Sequence, residues 1–333
     1  MPAPTTRTPQ TFKLGGDLTV NRLGYGAMHL TGPGFWGPPQ NPEQAKNLLR
    51  RAVHELGVNF LDTADSYGPG YNEDIIREAL HPYPENLVIA TKGGMLRTGP
   101  ADWVRAEGRA PYIVALGRPE YLRQQVELSL HRLGRDCIDL YQLHRIDPLV
   151  PLADQLGALA ELQQQGKIRH LGLSGQPEVT IEQLNQARKI VDIVAVENLY
   201  NIADRSGEAV LKHAEEHNIA FIPWFPLGHG DLVGPTGILT KAAEQYGATG
   251  AQLGLAWLLQ HSPNALLIPG TTSMAHLEDN VKAADLRLSD QQWREIENLC
   301  SQTTPWRPTA IPAQEAAIPA QEAAIPAQEG STL

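Results

Sequence analysis

The chain has 333 residues, of which 42% are hydrophobic and 19% are charged, a composition ordinary for a soluble globular protein. Its net charge of −10 argues against general binding to nucleic acid or to an anionic membrane surface. Cys137 and Cys300 lie far apart without a CxxC partner, so we predict that both stay reduced. The N-terminus has no apolar signal core, and no segment approaches the ~18 apolar residues of a membrane span. We therefore predict a cytoplasmic protein without a membrane partner.

The predicted elements begin with a hairpin and continue as alternating strands and helices. Residues 11–20 place two short apolar runs around Gly15 and Gly16, which is typical of a β-hairpin. Eight apolar runs of strand length follow, at residues 23–28, 58–63, 86–92, 137–144, 167–174, 192–198, 219–225 and 265–270. Helical patterns separate them, for example at residues 42–56, 119–133, 151–165, 180–191 and 251–262. This order predicts an α/β fold, a (β/α)8 TIM barrel with an N-terminal hairpin and extra helices, over residues 11–302.

A doubly wound dinucleotide-binding sheet is the alternative fold, and the sequence argues against it. That fold requires a GxGxxG fingerprint after the first strand. Gly24 and Gly26 could begin such a fingerprint, but His29 occupies the third glycine position.

The two ends of the chain differ from the barrel segment. We predict that residues 1–10 form a flexible N-terminus. From Ala310 the tail repeats AIPAQEA with a period of seven, but a proline in every repeat excludes a coiled coil. Residues 303–333 are therefore expected to be extended or disordered, with a lid or partner-binding strap as the alternative.

Four polar residues follow successive predicted strands, namely Asp62, Tyr67, Lys92 and His144. Active sites of (β/α)8 barrels lie at the C-terminal ends of the strands. A phenol with an ordinary pKa of ~10 is a weak acid at neutral pH, and a neighbouring cation lowers that pKa. These residue types therefore form a candidate proton-donor set.

The segments that carry these residues resemble the aldo-keto reductase family. They are LDTADSYG at 61–68, ATKGG at 90–94, DLYQLHRID at 139–147, GLSG at 172–175, WFPLG at 224–228 and IPGTTSMAHLEDN at 268–280. The resemblance covers about residues 20–300, and the stretch at 22–39 is similar to bacterial members related to pyridoxal reductases.

The resemblance implies a barrel that reduces aldehydes or ketones with a nicotinamide cofactor, usually NADPH. Tyr67 would give the proton, Lys92 paired with Asp62 would lower the tyrosine pKa, and His144 would position the carbonyl. The implied cofactor contacts are Ala27, Met28, Ser174, Gly175, Glu197, Trp224, Phe225, Pro226, Leu227, Gly228, Ile268, Gly270, Thr271, Thr272, Ser273, His276, Asp279 and Asn280. Among these, Trp224 would stack on the nicotinamide and Ser174 would bond its carboxamide.

The sequence offers fewer candidate contacts for the substrate than for the cofactor. Met28, Trp36 and Trp103 are candidate substrate contacts, and the segment at 98–118 is expected to cover part of the mouth. The resemblance implies a small carbonyl compound as the ligand, and the charge balance separately disfavours nucleic acid. The sequence does not fix the oligomeric state.

Several positions depart from the family pattern. Gly175 and Glu197 stand where asparagine and glutamine are usual, and we predict that Glu197 alters the relative affinity for oxidised and reduced cofactor. Gly270 and His276 stand where NADPH-preferring members often have lysine and arginine. NADPH is still favoured, with NADH possible.

Three other functional interpretations are open. The same chemistry could run as alcohol oxidation, or the chain could be a cofactor-binding regulatory subunit. The third concerns His213, Glu216 and His217, which match the zinc-binding pattern H-x-x-E-H. Because this helix is rich in charge and precedes the seventh strand, we predict a solvated outer helix and no metal.

Overall fold

A computed structural model describes residues 10–100, 113–230 and 232–300. Its first element is an antiparallel hairpin of β1 (Thr11–Leu14) and β2 (Leu18–Asn21). Gly15 turns the chain with a φ of 60°, and a Cβ there would collide with the His170 ring. Glycine therefore lets the hairpin lie close against a neighbouring strand.

The central sheet is parallel and nearly closes on itself. Its strands are β3 (Tyr25–Gly26), β4 (Phe60–Asp62), β5 (Val88–Gly93), β8 (Ile138–Leu143), β9 (Ile168–Ser174), β10 (Ile193–Leu199) and β11 (Ala220–Trp224). A separate antiparallel hairpin pairs β6 (Met95–Arg97) with β7 (Ile113–Ala115).

Residues 265–267 occupy the eighth strand position. Ala265 bridges to Phe221 of β11, and Leu267 bridges to Leu23 just before β3, both in parallel orientation. The buried Arg22 side chain reinforces this closure by donating to the Ala265 carbonyl at 3.1 Å. The predicted (β/α)8 barrel is confirmed, although its last strand is limited to isolated bridges.

Ten α-helices lie in the described residues. They are α1 (Pro42–Arg50), α2 (Tyr71–Leu80), α3 (Pro119–Leu133), α4 (Leu152–Gln164), α5 (Ile181–Arg188), α6 (Glu208–Glu216), α7 (Ile238–Ala243), α8 (Gly250–His261), α9 (Met274–Lys282) and α10 (Asp290–Cys300). A π-helical turn over Arg51–Glu55 extends α1. Capping boxes at Thr180 and Thr249 begin α5 and α8. Among the described helices, none is long and apolar enough to cross a membrane.

The core has an inner and an outer layer. Phe12, Leu14 and Val20 of the hairpin pack with inward side chains of the barrel strands, including Phe60 and Leu140. Larger clusters fill the space between strands and helices. The hairpin thus closes one end of the barrel, and the strand ends that carry the polar residues are left open to ligand.

Four sequence predictions fall partly or wholly outside the described residues. They are Trp103, most of the expected mouth segment at 98–118, the flexible N-terminus and the repeat tail. The described edges of the mouth segment contribute β7, a strand that the sequence did not predict.

Candidate active site

The predicted catalytic residues converge at the C-terminal ends of neighbouring strands. Asp62 ends β4, and Lys92 lies next to it on β5. Lys92 pairs in register with Gln142 of β8, while Glu197 of β10 pairs with Ser174 of β9. Parallel strands bring these side chains to one end of the barrel.

Lys92 is the centre of a buried polar cluster. Its side chain is 0% exposed and its Nζ forms an ion pair with Asp62. The same Nζ lies 3.4 Å from the Tyr67 hydroxyl and 3.4 Å from Glu197 Oε2. Gln142 Nε2 donates to Asp62 Oδ2 at 3.3 Å and to Glu197 Oε2 at 2.9 Å. One ammonium therefore serves two carboxylates and one phenol.

A hydrogen-bonded loop fixes the position of Tyr67. Its backbone N–H donates to Ala64 O at 3.2 Å. Asn72, in the first turn of α2, accepts from Thr63 Oγ1 at 2.6 Å and donates to Ala27 O at 2.7 Å. These buried bonds tie the loop after β4 to the neighbouring strand, so they hold the phenol against Lys92.

His144 completes the predicted set. Its backbone N–H donates to Gly93 O at 2.8 Å, and its ring meets the Tyr67 ring edge-on with centroids 5.8 Å apart. The Ser66 hydroxyl lies 3.4 Å from Nδ1. Burial lowers the pKa of His144 well below its ordinary value, and Lys92, Arg145 and Arg97 lower it further. The imidazole is therefore neutral, and when Ser66 donates to Nδ1 the ring proton lies on Nε2.

Burial shifts the pKa values of the charged groups in the cluster. Burial raises the pKa of Asp62, and Lys92 opposes this. Burial alone would lower the pKa of Lys92, but Asp62 and Glu197 outweigh it and raise that pKa. Burial and the neighbouring Asp62 raise the pKa of Glu197 to about 7. Lys92 thus stays charged, whereas Glu197 can exchange a proton near neutral pH.

The predicted effect of Lys92 on Tyr67 needs correction. Its positive charge does act to lower the tyrosine pKa, but burial raises that pKa by more, and Asp62 and Glu197 add to the increase. The net pKa of Tyr67 is above its ordinary value. The resting phenol is therefore neutral and holds its proton.

Asp62, Tyr67, His144 and Glu197 form part of the wall of a cavity of about 760 Å³, whereas Lys92 and Gln142 lie buried behind them. The volume is in the upper part of the ~300–1,000 Å³ range of ligand pockets. The predicted residues that line it are Met28, Asp62, Tyr67, His144, Ser174, Gly175, Glu197, Trp224, Phe225, Pro226, Leu227, Ile268, Gly270, Thr271, His276, Asp279 and Asn280.

Other predicted contacts do not line this cavity in the described part of the chain. Ala27 is buried and its carbonyl accepts from Asn72. The Thr272 carbonyl accepts from Gln44, and the Ser273 side chain caps α9. Gly228 lies in a turn, with a φ of 59°. The Trp36 ring lies under the Arg97 guanidinium, with its centroid 5.6 Å from Cζ, and its substrate role stays a prediction.

Several lining residues were missed by the sequence reasoning. Met95, Arg97, Arg145 and Gln176 border the cavity near the catalytic set. Residues between 230 and 251 line it farther along the same wall, including Thr240 and Glu244. Gln142 was also missed in the cluster, although its position two residues before His144 on one strand gave a usable signal.

Backbone strain marks the turn that follows β11. Phe225 has a φ of 52°, a left-handed conformation rare for a non-glycine residue. Asn201 Nδ2 donates to its carbonyl at 3.2 Å, and its ring meets the Trp224 ring edge-on at 5.0 Å. Strained backbone of this kind concentrates at ligand sites.

The H-x-x-E-H residues lie elsewhere. Ligand atoms of His213, Glu216 and His217 lie within 4.8 Å of one another around the end of α6, and Glu216 is exposed. None of the three lines the cavity. The predicted solvated outer helix remains our interpretation.

The cavity fits a nicotinamide dinucleotide by its donor set. The half-buried Trp224 offers an aromatic face to the cavity, and Ser174 offers a hydroxyl. Thr271, His276 and Asn280 line the same cavity from α9 and the segment before it, and backbone N–H groups at the N-terminus of this helix favour anions. An aromatic plane and an anion-binding helix N-terminus in one cavity match the nicotinamide and the phosphates of such a cofactor.

Comparisons with known proteins agree with this geometry. A family model described as the aldo/keto reductase family matches residues 22–300. The uncharacterized oxidoreductase C215.11c of Schizosaccharomyces pombe is 46% identical over 282 residues, covering 85% of this chain and 87% of that protein. Pyridoxine 4-dehydrogenase of Escherichia coli K12 is 45% identical over 287 residues, covering 84% and 95% respectively. The crystal structure of the thermostable aldo-keto reductase Tm1743 superposes with a TM-score of 0.72 at 29% identity, covering 87% and 99%.

Proposed function

The chain belongs to the aldo/keto reductase family, and from that membership we propose that Tyr67 is its proton donor and NADPH its preferred hydride source. Membership makes the protein an NAD(P)-dependent oxidoreductase that reduces aldehydes or ketones to alcohols. The observation that supports this proposal best is that Tyr67 and the neutral His144 ring line one cavity, and that the buried Lys92 ammonium lies 3.4 Å from the Tyr67 hydroxyl.

The proposed mechanism assigns each side chain a distinct task. A bound nicotinamide dinucleotide supplies the hydride. His144 donates Nε2–H to the carbonyl oxygen and orients it, and Tyr67 transfers its proton to that oxygen as negative charge develops. Lys92 stabilises the tyrosinate that results, and Asp62 holds Lys92 in place.

The charge state of Tyr67 supports the direction of reduction. A neutral phenol is required to give a proton, and burial keeps this phenol neutral. Alcohol oxidation requires tyrosinate as the acceptor and is the second candidate function. The relative named pyridoxine 4-dehydrogenase favours testing that direction, and it makes pyridoxal a candidate substrate.

The NADPH preference has modest support from the cavity. Thr271 and His276 offer donors near the N-terminus of α9, but neither carries the permanent charge that best holds a 2′-phosphate. The proposed preference for NADPH therefore rests on the usual cofactor of the family, and use of both NADPH and NADH is the alternative. A cytoplasmic location also remains a prediction.

Carbonyl-dependent oxidation of NADPH and of NADH tests the proposal. The panel contains pyridoxal, 4-nitrobenzaldehyde, a dicarbonyl and a bulky ketone. Tyr67→Phe should reduce kcat by about 10²–10⁴-fold while both nucleotides still bind. Tyr71→Phe is the matched control, because Tyr71 is 47% exposed. Unchanged turnover in Tyr67→Phe would refute the assigned donor, and nucleotide binding without any turnover would favour a regulatory role.

A further inference from the structure

Glu197 is the one ionisable member of the polar cluster that the proposed mechanism leaves unused. It lies on β10, is 3% exposed and lines the cavity. Two successive 3.4 Å contacts through Lys92 Nζ join its carboxylate to the Tyr67 hydroxyl. A charge at Glu197 is therefore close to the place where carbonyl and cofactor must meet.

The cluster contains one more carboxylate than its ammonium can neutralise. Asp62 makes the closer ion pair with Lys92, and Glu197 lies farther from the same Nζ at 3.4 Å. The cluster is neutral when Glu197 carries a proton and has a charge of −1 when Glu197 is ionised. Gln142 contributes hydrogen bonds to both acids but no charge.

We propose that the charge of Glu197 selects the oxidation state of the bound cofactor, with the carboxylate favouring oxidised nicotinamide and the protonated acid favouring the reduced form. This inference rests on the proposed function, because it requires a nicotinamide in the cavity. The oxidised ring is a cation and the reduced ring is neutral, so only the oxidised form gains from a cluster of charge −1. Adenosine and phosphates are common to both forms and do not contribute to the difference.

The expected change in the ratio of affinities for oxidised and reduced cofactor follows from Coulomb's law. With an effective dielectric constant of about 20 and a separation of roughly 6–10 Å, one unit charge changes the affinity ratio by about 10–100-fold. Glu197 faces Lys92, Asp62 and Tyr67. Lys92 keeps its charge near neutral pH and Tyr67 stays neutral. The closer ion pair with Lys92 favours the ionised form of Asp62, so the more distant carboxylate, Glu197, is the one whose charge we expect to change there. Because its pKa is about 7, the change falls between about pH 6 and pH 8.

The test measures binding rather than turnover. Dissociation constants for NADP⁺ and NADPH are determined at pH 6 and pH 8 from tryptophan quenching. In the wild type, Kd for NADP⁺ relative to NADPH should fall by roughly five- to tenfold between these pH values. In Glu197→Gln the ratio should not change with pH and should stay near the low-pH value. The 2′-phosphate titrates in both forms, so it cancels in the ratio.

A matched variant and a second measurement complete the experiment. Glu85→Gln removes an exposed carboxylate that does not line the cavity and should behave like the wild type. Calorimetry in buffers of different ionisation enthalpy should show the wild type releasing about half a proton more per NADP⁺ than per NADPH at pH 7. This second measurement needs no variant at Glu197 to fold.

The outcomes separate the inference from the proposed function. If both nucleotides bind but the wild-type ratio is independent of pH, or Glu197→Gln keeps the wild-type slope, the inference fails and the reductase proposal stands. If neither nucleotide binds, both fail.

Discussion

Replacement of Lys92 by methionine should leave two buried carboxylates without their ammonium. Lys92 is 0% exposed, and the side chains of Asp62 and Glu197 are 2% and 4% exposed, so water cannot compensate for the loss. Removing one partner of a buried ion pair costs about 3–5 kcal/mol of folding free energy. We therefore expect Lys92→Met to lower the free energy of unfolding by about 3–5 kcal/mol at pH 8.

The loss should depend on pH in a defined direction. Without the ammonium, burial and mutual repulsion raise the pKa values of both carboxyl groups above those of the unfolded chain. An acid whose pKa is raised on folding contributes stability at low pH and loses it as pH rises. The loss of folding free energy caused by Lys92→Met should therefore become smaller as the pH is lowered toward about 5, where protonation of the two carboxylates removes the uncompensated charge.

Urea unfolding at both pH values, followed by tryptophan fluorescence and circular dichroism, measures this prediction. The two probes must coincide before a free energy is extracted, because a chain of this size can unfold through intermediates. Lys167→Met is the matched control. Lys167 pairs with Glu127 at the surface, where the side chains are 34% and 52% exposed, so its loss should cost less than about 1 kcal/mol. Equal urea midpoints for the two variants at pH 8 would refute the reasoning.

Three further predictions concern other parts of the site. His144 should remain neutral in ring-proton NMR titrations well below its ordinary pKa, and because that pKa is lowered on folding, the stability it contributes should be lost as pH falls below about 6.5. His276→Arg should improve the affinity for NADPH relative to NADH by about tenfold in fluorescence titrations, since a guanidinium of permanent charge replaces the imidazole. Asn72→Ala should lower the free energy of unfolding by about 1–3 kcal/mol and should also lower kcat, because Thr63 and the Ala27 carbonyl lose their buried partner. An unchanged kcat would show that Asn72 does not position Tyr67.

Local signals explain which elements were predicted well from the sequence. The helix predicted over 119–133 matches α3 at both ends, because Pro119 begins it and Gly134, with a φ of 62°, ends it. The strand predicted at 265–270 is only a pair of bridges. Pro269 cannot donate to a ladder there, so the pattern overstated the strand.

Long-range contacts explain what the sequence did not reveal. β6 and β7 have three residues each and pair across the segment at 98–112, which is too long for a hairpin-turn signal to identify the partner strand. Gln142 is a neutral side chain with no chemical signature of its own, although it bonds both acids of the cluster. The pKa of Tyr67 depends on the balance of burial against the Lys92 charge, and residue types alone cannot give that balance.

Transfer of deuterium from labelled cofactor is the most direct test of whether this protein moves hydride from the nicotinamide to a carbonyl carbon. The 4R- and 4S-deuterated forms of NADPH, and of NADH, are each incubated with the aldehyde that turns over fastest, and the alcohol is analysed by mass spectrometry. We predict that one of the two labelled forms, 4R or 4S, places one deuterium on the former carbonyl carbon. The rate should fall strongly in Tyr67→Phe but not in Tyr71→Phe. An alcohol without label from either form, or a Tyr67→Phe variant as fast as the wild type, would contradict this prediction.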